Sequence, residues 1–163
     1  MDEALIAARL LLRDLTPLKG DCGRLCGAAC CSPLEGEETG MLLFPGEDTE
    51  YQGKPGWKLK TTRFGEYLLI CSGECPRDDR PLSCRIFPLL PVLCDSGVRV
   101  EKDLRARTVC PLSRQPLSAL DPAFVDAVRK AGEILSAVPS HRDFLLRLSS
   151  EQAELRALRR ALS

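Results

Sequence analysis

Near the amino terminus apolar residues recur every three or four positions, at Leu5, Ala8, Leu12 and Leu15, which predicts a helix over 2–15 capped by Asp2. Pro17 and Gly20 are expected to end it. Residues 20–56 are rich in Gly, Pro and Glu and read as irregular, apart from a short apolar run from Met41 to Phe44. WKLKTTRFGEYLLIC, residues 57–71, reads as two strands joined by a turn near Gly65. Prolines and charges break residues 72–91 into a loop with short helical turns. PVLCDSGVRVEKD, residues 91–103, predicts a second hairpin that turns at Asp95, Ser96 and Gly97.

From Asp121 the helical period returns. Asp121 caps a helix with Pro122 at its first position, and Phe124, Val125, Val128, Ile134 and Leu135 form its apolar face. Pro139 is expected to stop it, and a last helix over 141–161 carries Phe144, Leu145, Leu148, Leu155 and Leu158 as its stripe. The expected fold is α+β. A small cysteine-rich, metal-centred body over 1–115 has an N-terminal helix and short β-hairpins. A C-terminal helical hairpin over 116–163 packs on it and closes it.

Composition narrows the function classes. The chain has 163 residues, enough for one domain with a core, and 44% of them are apolar. Its 23 basic and 23 acidic residues balance, with no basic stripe of the kind that nucleic-acid binding needs. The first residues, MDEALIAARLLLRDL, open on acidic charges and are interrupted by Arg9 and Arg13, unlike a secretory signal. No stretch approaches the roughly 18 apolar residues of a transmembrane helix. The expectation is a cytoplasmic protein with neither a nucleic-acid nor a membrane partner.

That compartment decides how nine cysteines are read. In a reducing cytosol clustered thiols bind metal or do redox chemistry more often than they form disulfides. Eight fall in three groups: Cys22, Cys26, Cys30 and Cys31; then Cys71, Cys75 and Cys84; then Cys110. They stand at loop-like positions, and Cys22, Cys26, Cys75 and Cys110 are directly followed by Gly or Pro. Cys94 stands apart on an expected strand and reads as a small buried apolar residue.

On a regular helix Cys22 and Cys30 would be about 12 Å apart. Ligands of one zinc lie about 2.3 Å from it, so their sulfurs must come within about 4 Å of each other. Either the segment bends, as Gly23 and Gly27 permit, or its thiols serve more than one metal. Adjacent Cys30 and Cys31 are expected to diverge, which suits two sites or two faces of a cluster. Cys71 and Cys75 flank a Ser-Gly-Glu turn of metal-knuckle type, whose amides would point at thiolate sulfur. Pro76 and Pro111 each follow a cysteine and hold the chain away from it. Arg85, beside Cys84, either offsets thiolate charge or forms a surface ion pair.

This pattern resembles the YkgJ-type cysteine-cluster family, described as zinc- or iron-chelating. The most specific element is Arg80-Pro81-Leu82-Ser83-Cys84-Arg85-Ile86-Phe87-Pro88, which matches an RPxxCRxFP signature. The family's CxxCxxCC-like run corresponds to Cys22, Cys26, Cys30 and Cys31, here with three residues between successive cysteines where the pattern has two. The resemblance spans about residues 20–112. It implies a bound metal or iron–sulfur centre without implying a reaction.

Cysteine-only ligation suits zinc or an iron–sulfur cluster, and the residues leave both open. The resemblance favours iron–sulfur. Cys22, Cys26, Cys30, Cys31, Cys71, Cys75, Cys84 and Cys110 are the candidate metal- and cofactor-binding residues. The single histidine, His141, is expected to face solvent at a helix start. Three classes follow: a protein holding the metal with no known substrate, a zinc-stabilised structural or protein-interaction module, and a cluster-dependent redox or group-transfer enzyme. Polar groups available to an enzyme are Asp103, Arg105 and Arg107 and Glu35, Glu37 and Glu38, all expected on a solvated surface. No catalytic triad, phosphate-binding glycine loop or HExxH motif occurs, and Arg156, Arg159 and Arg160 suit the last helix's dipole.

Overall fold

Asp2 opens the first helix, its Oδ1 accepting the Leu5 N–H at 2.9 Å, and α1 runs Glu3–Leu11 in this computed structural model. The helix closes before its apolar period does, because the Leu12 and Arg13 N–H groups turn onto the Arg9 and Leu10 carbonyls in tighter i→i+3 bonds. The structure describes residues 1–20, 22–31, 40–71, 73 and 76–162. Cys75, Glu35, Glu37 and Glu38 lie outside the described residues, as does the side chain of Cys71.

The architecture is α+β with two small antiparallel sheets. Strands β2 (Trp57–Thr61) and β3 (Tyr67–Cys71) pair in the register Leu59 to Leu69. Gly65 turns between them at φ 79°, a left-handed conformation that glycine adopts without steric cost. The apolar run at 41–44 supplies a third strand, β1 (Met41–Leu42), on the other edge of β3. Leu43, Tyr51 and Leu69 form a satellite core beside this sheet.

The second sheet is the hairpin β4 (Leu89–Cys94) and β5 (Gly97–Lys102). Helices α4 (Pro122–Ser136) and α5 (Pro139–Ala161) pack on it, and α4 also packs against α1. Gly132 brings α4 flush with β4: a Cβ there would stand 2.6 Å from Pro91 Cβ. One continuous core joins Leu5, Ala8 and Leu12 of α1 to Leu89 and Val92 of β4, Phe124 and Val128 of α4 and Phe144 and Leu148 of α5. The residues expected to extend the first body therefore complete its core. No helix among the described residues is long and apolar enough to cross a membrane.

Two expectations are corrected here. Pro139 does not merely stop α4, which already ends at Ser136; it is the first residue of α5, where a missing N–H costs nothing. His141 then falls in the first turn of α5 and faces inward. It is fully buried, its Nε2 2.8 Å from Asp2 Oδ2 and its ring edge-on to Phe44. The Asp2 carboxylate thus holds two elements together, capping α1 and binding α5.

Candidate metal centre

Residues 22–31 fold in two short pieces. Helix α2 (Gly23–Cys26) ends at Gly27, and Gly27 and Ala28 both take left-handed φ angles, 60° and 57°. A 3-10 turn then covers Ala29–Cys31. The segment is bent where Gly27 allows, which brings Cys22, Cys26 and Cys30 to one side. The expected divergence of Cys30 and Cys31 is corrected: their sulfurs stand 3.9 Å apart, because the tight turn swings neighbouring side chains together. That spacing suits two thiolates on one tetrahedral ion.

Cys84 lies on α3 (Leu82–Ile86), a five-residue helix whose cap Pro81 offers no side-chain acceptor. Fully buried Glu47 supplies it from another part of the chain. Its Oε1 accepts the Leu82 N–H at 2.7 Å while Oε2 accepts the Phe44 N–H at 3.0 Å. Burial raises its pKa to about 7, against the pull of those two N–H groups and of Arg9. Ser83 Oγ donates to the Leu42 carbonyl at 2.5 Å, and Tyr51 Oη to the Asp79 carbonyl at 2.8 Å. The segment before and through α3 is therefore tied to β1 and to the satellite core.

Cys110 follows a 3-10 turn over Leu104–Thr108 and is buried. Burial pushes its thiol up, opposed by the nearby N–H groups of Leu112 and Ser113, the second of which donates to the Cys110 carbonyl at 3.0 Å. The knuckle expected at Cys71 and Cys75 lies outside the described residues. Cys30 is also pushed up, first by its hydrogen bond with Cys31, then by burial, and further by Cys26 and Cys22. Crowded thiols resist ionising together, and a bound cation would reverse that preference.

Cys22, Cys26, Cys30, Cys84 and Cys110 line one cavity of about 60 Å³. Its wall also includes Leu15, Phe87 and Leu112, together with Arg77, Arg80 and Arg85. No carboxylate among the described residues lines it. Cys31 adjoins it through Cys30, and Cys94 stands elsewhere, at the end of β4, with its sulfur 3.4 Å from Ser96 Oγ. Cys94 is half-buried rather than buried, since the hairpin turn exposes the strand end. As they stand, no three Cys, His, Asp or Glu side chains among the described residues form a ready ligand group. The chemistry of the donors nonetheless fits a soft metal or an iron–sulfur centre: cysteines from three separated segments line one space, with no carboxylate among the described lining residues.

Of the polar groups available to an enzyme, Glu35, Glu37 and Glu38 lie outside the described residues, and Asp103, Arg105 and Arg107 stand away from the centre. Asp103 is buried, not solvated; it caps the 104–108 turn through the Arg105 N–H at 2.9 Å and pairs with the Arg105 guanidinium at 2.7 Å. Neither Asp103, Arg105 nor Arg107 lines the cavity. Arg85, expected to offset thiolate charge or to pair at the surface, is 8% exposed and donates to the Arg80 and Asp78 carbonyls, each at 2.9 Å. Arg77 and Glu47 carried no motif signal, whereas Arg80 and Arg85 belong to the RPxxCRxFP element.

The chain matches no family model, no curated protein and no solved structure.

Proposed function

We propose that this protein holds a metal centre, an iron–sulfur cluster or zinc, through clustered cysteine thiolates. The observation that carries the reading is one cavity lined by Cys22, Cys26, Cys30, Cys84 and Cys110, with no carboxylate in its wall among the described residues. Its size supports the same reading. About 60 Å³ suits an ion or a small inorganic centre. Small-molecule pockets begin near roughly 300 Å³. Burial raises the Cys110 thiol and the nearby Leu112 and Ser113 N–H groups oppose it, and a bound cation would add to that opposition.

The resemblance of residues 20–112 to the YkgJ-type family favours iron–sulfur, and the smallness of the cavity favours a closed, structural site. Cys31, Cys71 and Cys75 complete the proposed donor set. When bound, the metal would draw the 22–31 segment, α3 and the Cys110 loop together.

The test is to purify the chain without oxygen and measure iron, sulfide and zinc per chain with the visible spectrum. About four irons with equal sulfide and a broad band near roughly 400 nm identify a cluster. About one or two tightly held zincs without colour identify closed zinc sites. A chain that retains neither metal, as purified or after reconstitution, refutes the reading.

A further inference from the structure

Among the described residues, the wall of the cysteine cavity carries positive charge and no negative side chain. Arg77 and Arg85 both line it, and both spend their hydrogen bonds on backbone carbonyls. Arg77 Nε donates to the Arg13 carbonyl at 2.6 Å, and its Nη2 to the carbonyls of Leu12 and Leu15 just past the end of α1. Arg85 reaches the carbonyls of Arg80 and Asp78. Among the described residues neither guanidinium has a carboxylate within ion-pair distance, unlike Arg9, Arg105, Arg129 and Arg147, which all do.

A carbonyl orients a guanidinium but does not cancel its charge. A guanidinium taken largely out of water with no carboxylate in ion-pair distance is costly unless something anionic adjoins it, and Asp78 acts on Arg85 only from farther off. Four thiolates around a divalent ion carry a net charge of about −2, as does a cluster with four cysteine ligands in its common oxidised form. Arg77 and Arg85, two of the three arginines in the wall, are fixed cations of the sign that complements that charge.

We propose that Arg77 and Arg85 are charge-compensating residues of the thiolate centre, fixed on backbone carbonyls so that their full charge serves the bound metal. This rests on the metal-binding reading above. Arg77 has a second effect as a positioning residue: it holds residues 12–15 in place, and Leu15 forms part of the cavity wall. The chemistry so recognised is an anionic metal–thiolate centre rather than a free cation.

The experiment uses the full chain purified anaerobically with its metal and follows release of iron or zinc to excess chromophoric chelator. Arg85→Gln is expected to release metal about tenfold faster than the wild type, and Arg77→Gln several-fold faster, each with a reduced dependence on salt. Arg85→Lys keeps the charge but loses the planar fork, and should recover most of the retention. Arg99→Gln, whose partner is Glu101 on β5, should release metal like the wild type. Equal release from wild type and Arg85→Gln overturns the proposal while leaving the metal centre standing. A lysine variant as fast as the glutamine variant assigns the loss to packing and also overturns it. If Arg85→Gln does not fold, the Arg77→Gln and Arg77→Lys pair decides by the same rescue criterion. A wild type that carries no metal refutes the metal reading itself, a result distinct from any of these.

Discussion

Helix α4 buries Phe124, Ala127, Val128, Ala131, Gly132 and Leu135, whereas α2 and the Ala29–Cys31 turn have no buried residue at all. The first is held by apolar area and by a cap, Asp121, whose side chain accepts the Ala123 N–H at 2.9 Å. The second has four residues of helix, two left-handed residues and a tight turn, and its four cysteines are its chief resource. One region pays for its order with hydrophobic burial. The other has too little burial for that, and a shared metal would supply what is missing. On the metal reading proposed above, one part of the chain folds by exclusion of water and another by ligation.

The largest expected effect falls on the ligated side. Cys84→Ser should lower metal content below about a tenth of the wild-type value and stability by roughly 5 kcal/mol or more. Stripping the metal with chelator should then raise hydrogen exchange at 22–31 while α4 and α5 stay protected. Equal loss of protection in both regions would break the comparison. Next is Phe124→Ala on the apolar side, expected to cost about 3–5 kcal/mol in chemical denaturation without changing the metal-to-protein ratio of the folded chain.

Glu47 joins the two regions, because it caps the helix that carries Cys84. Its carboxyl titrates near 4.5 when unfolded and at about 7 when folded, so between those values the folded chain holds a proton that the unfolded chain releases. The contribution is therefore full below pH 4.5 and is lost progressively as the pH rises to about 7, by about 3 kcal/mol in all. Denaturation of the wild type between pH 5 and 7 should show this slope, and Glu47→Gln should flatten it. A variant with the wild-type slope would place the titration elsewhere. Gly132→Ala should cost about 2 kcal/mol, because its methyl would meet Pro91 Cβ at 2.6 Å and Val98 Cγ1 at 2.8 Å. The smallest effect belongs to Cys94→Ser: metal retained, with stability changed by about 1 kcal/mol or less. Metal loss in that variant would move Cys94 into the centre and sharpen the assignment of the others.

Local signals in the chain were enough for the helix caps at Asp2 and Asp121, both hairpins with their turns at Gly65 and at residues 95–97, and the α+β class. Each depends on neighbours within about four residues or on a two-residue period, so the chain itself contains the information. The bend in the 22–31 run was one of two readings left open, at Gly23 or Gly27, and it falls at Gly27, whereas the RPxxCRxFP element marked Cys84 and Arg85. The side of the chain on which His141 would lie was not legible. Its burial follows from Asp2, 139 positions away in sequence, and from the docking of α5 beside Phe44.

The candidate centre divides along the same line. Which residues are sulfur donors is a matter of composition and spacing. That Cys22, Cys84 and Cys110 share one wall, with Arg77 and Arg85 beside them and Glu47 capping the intervening helix, was decided by tertiary structure. The physical reason is range. Capping, turn chemistry and strand period act between near neighbours, whereas a cavity is enclosed by segments that meet only after the apolar faces of α1, β4, α4 and α5 have found each other.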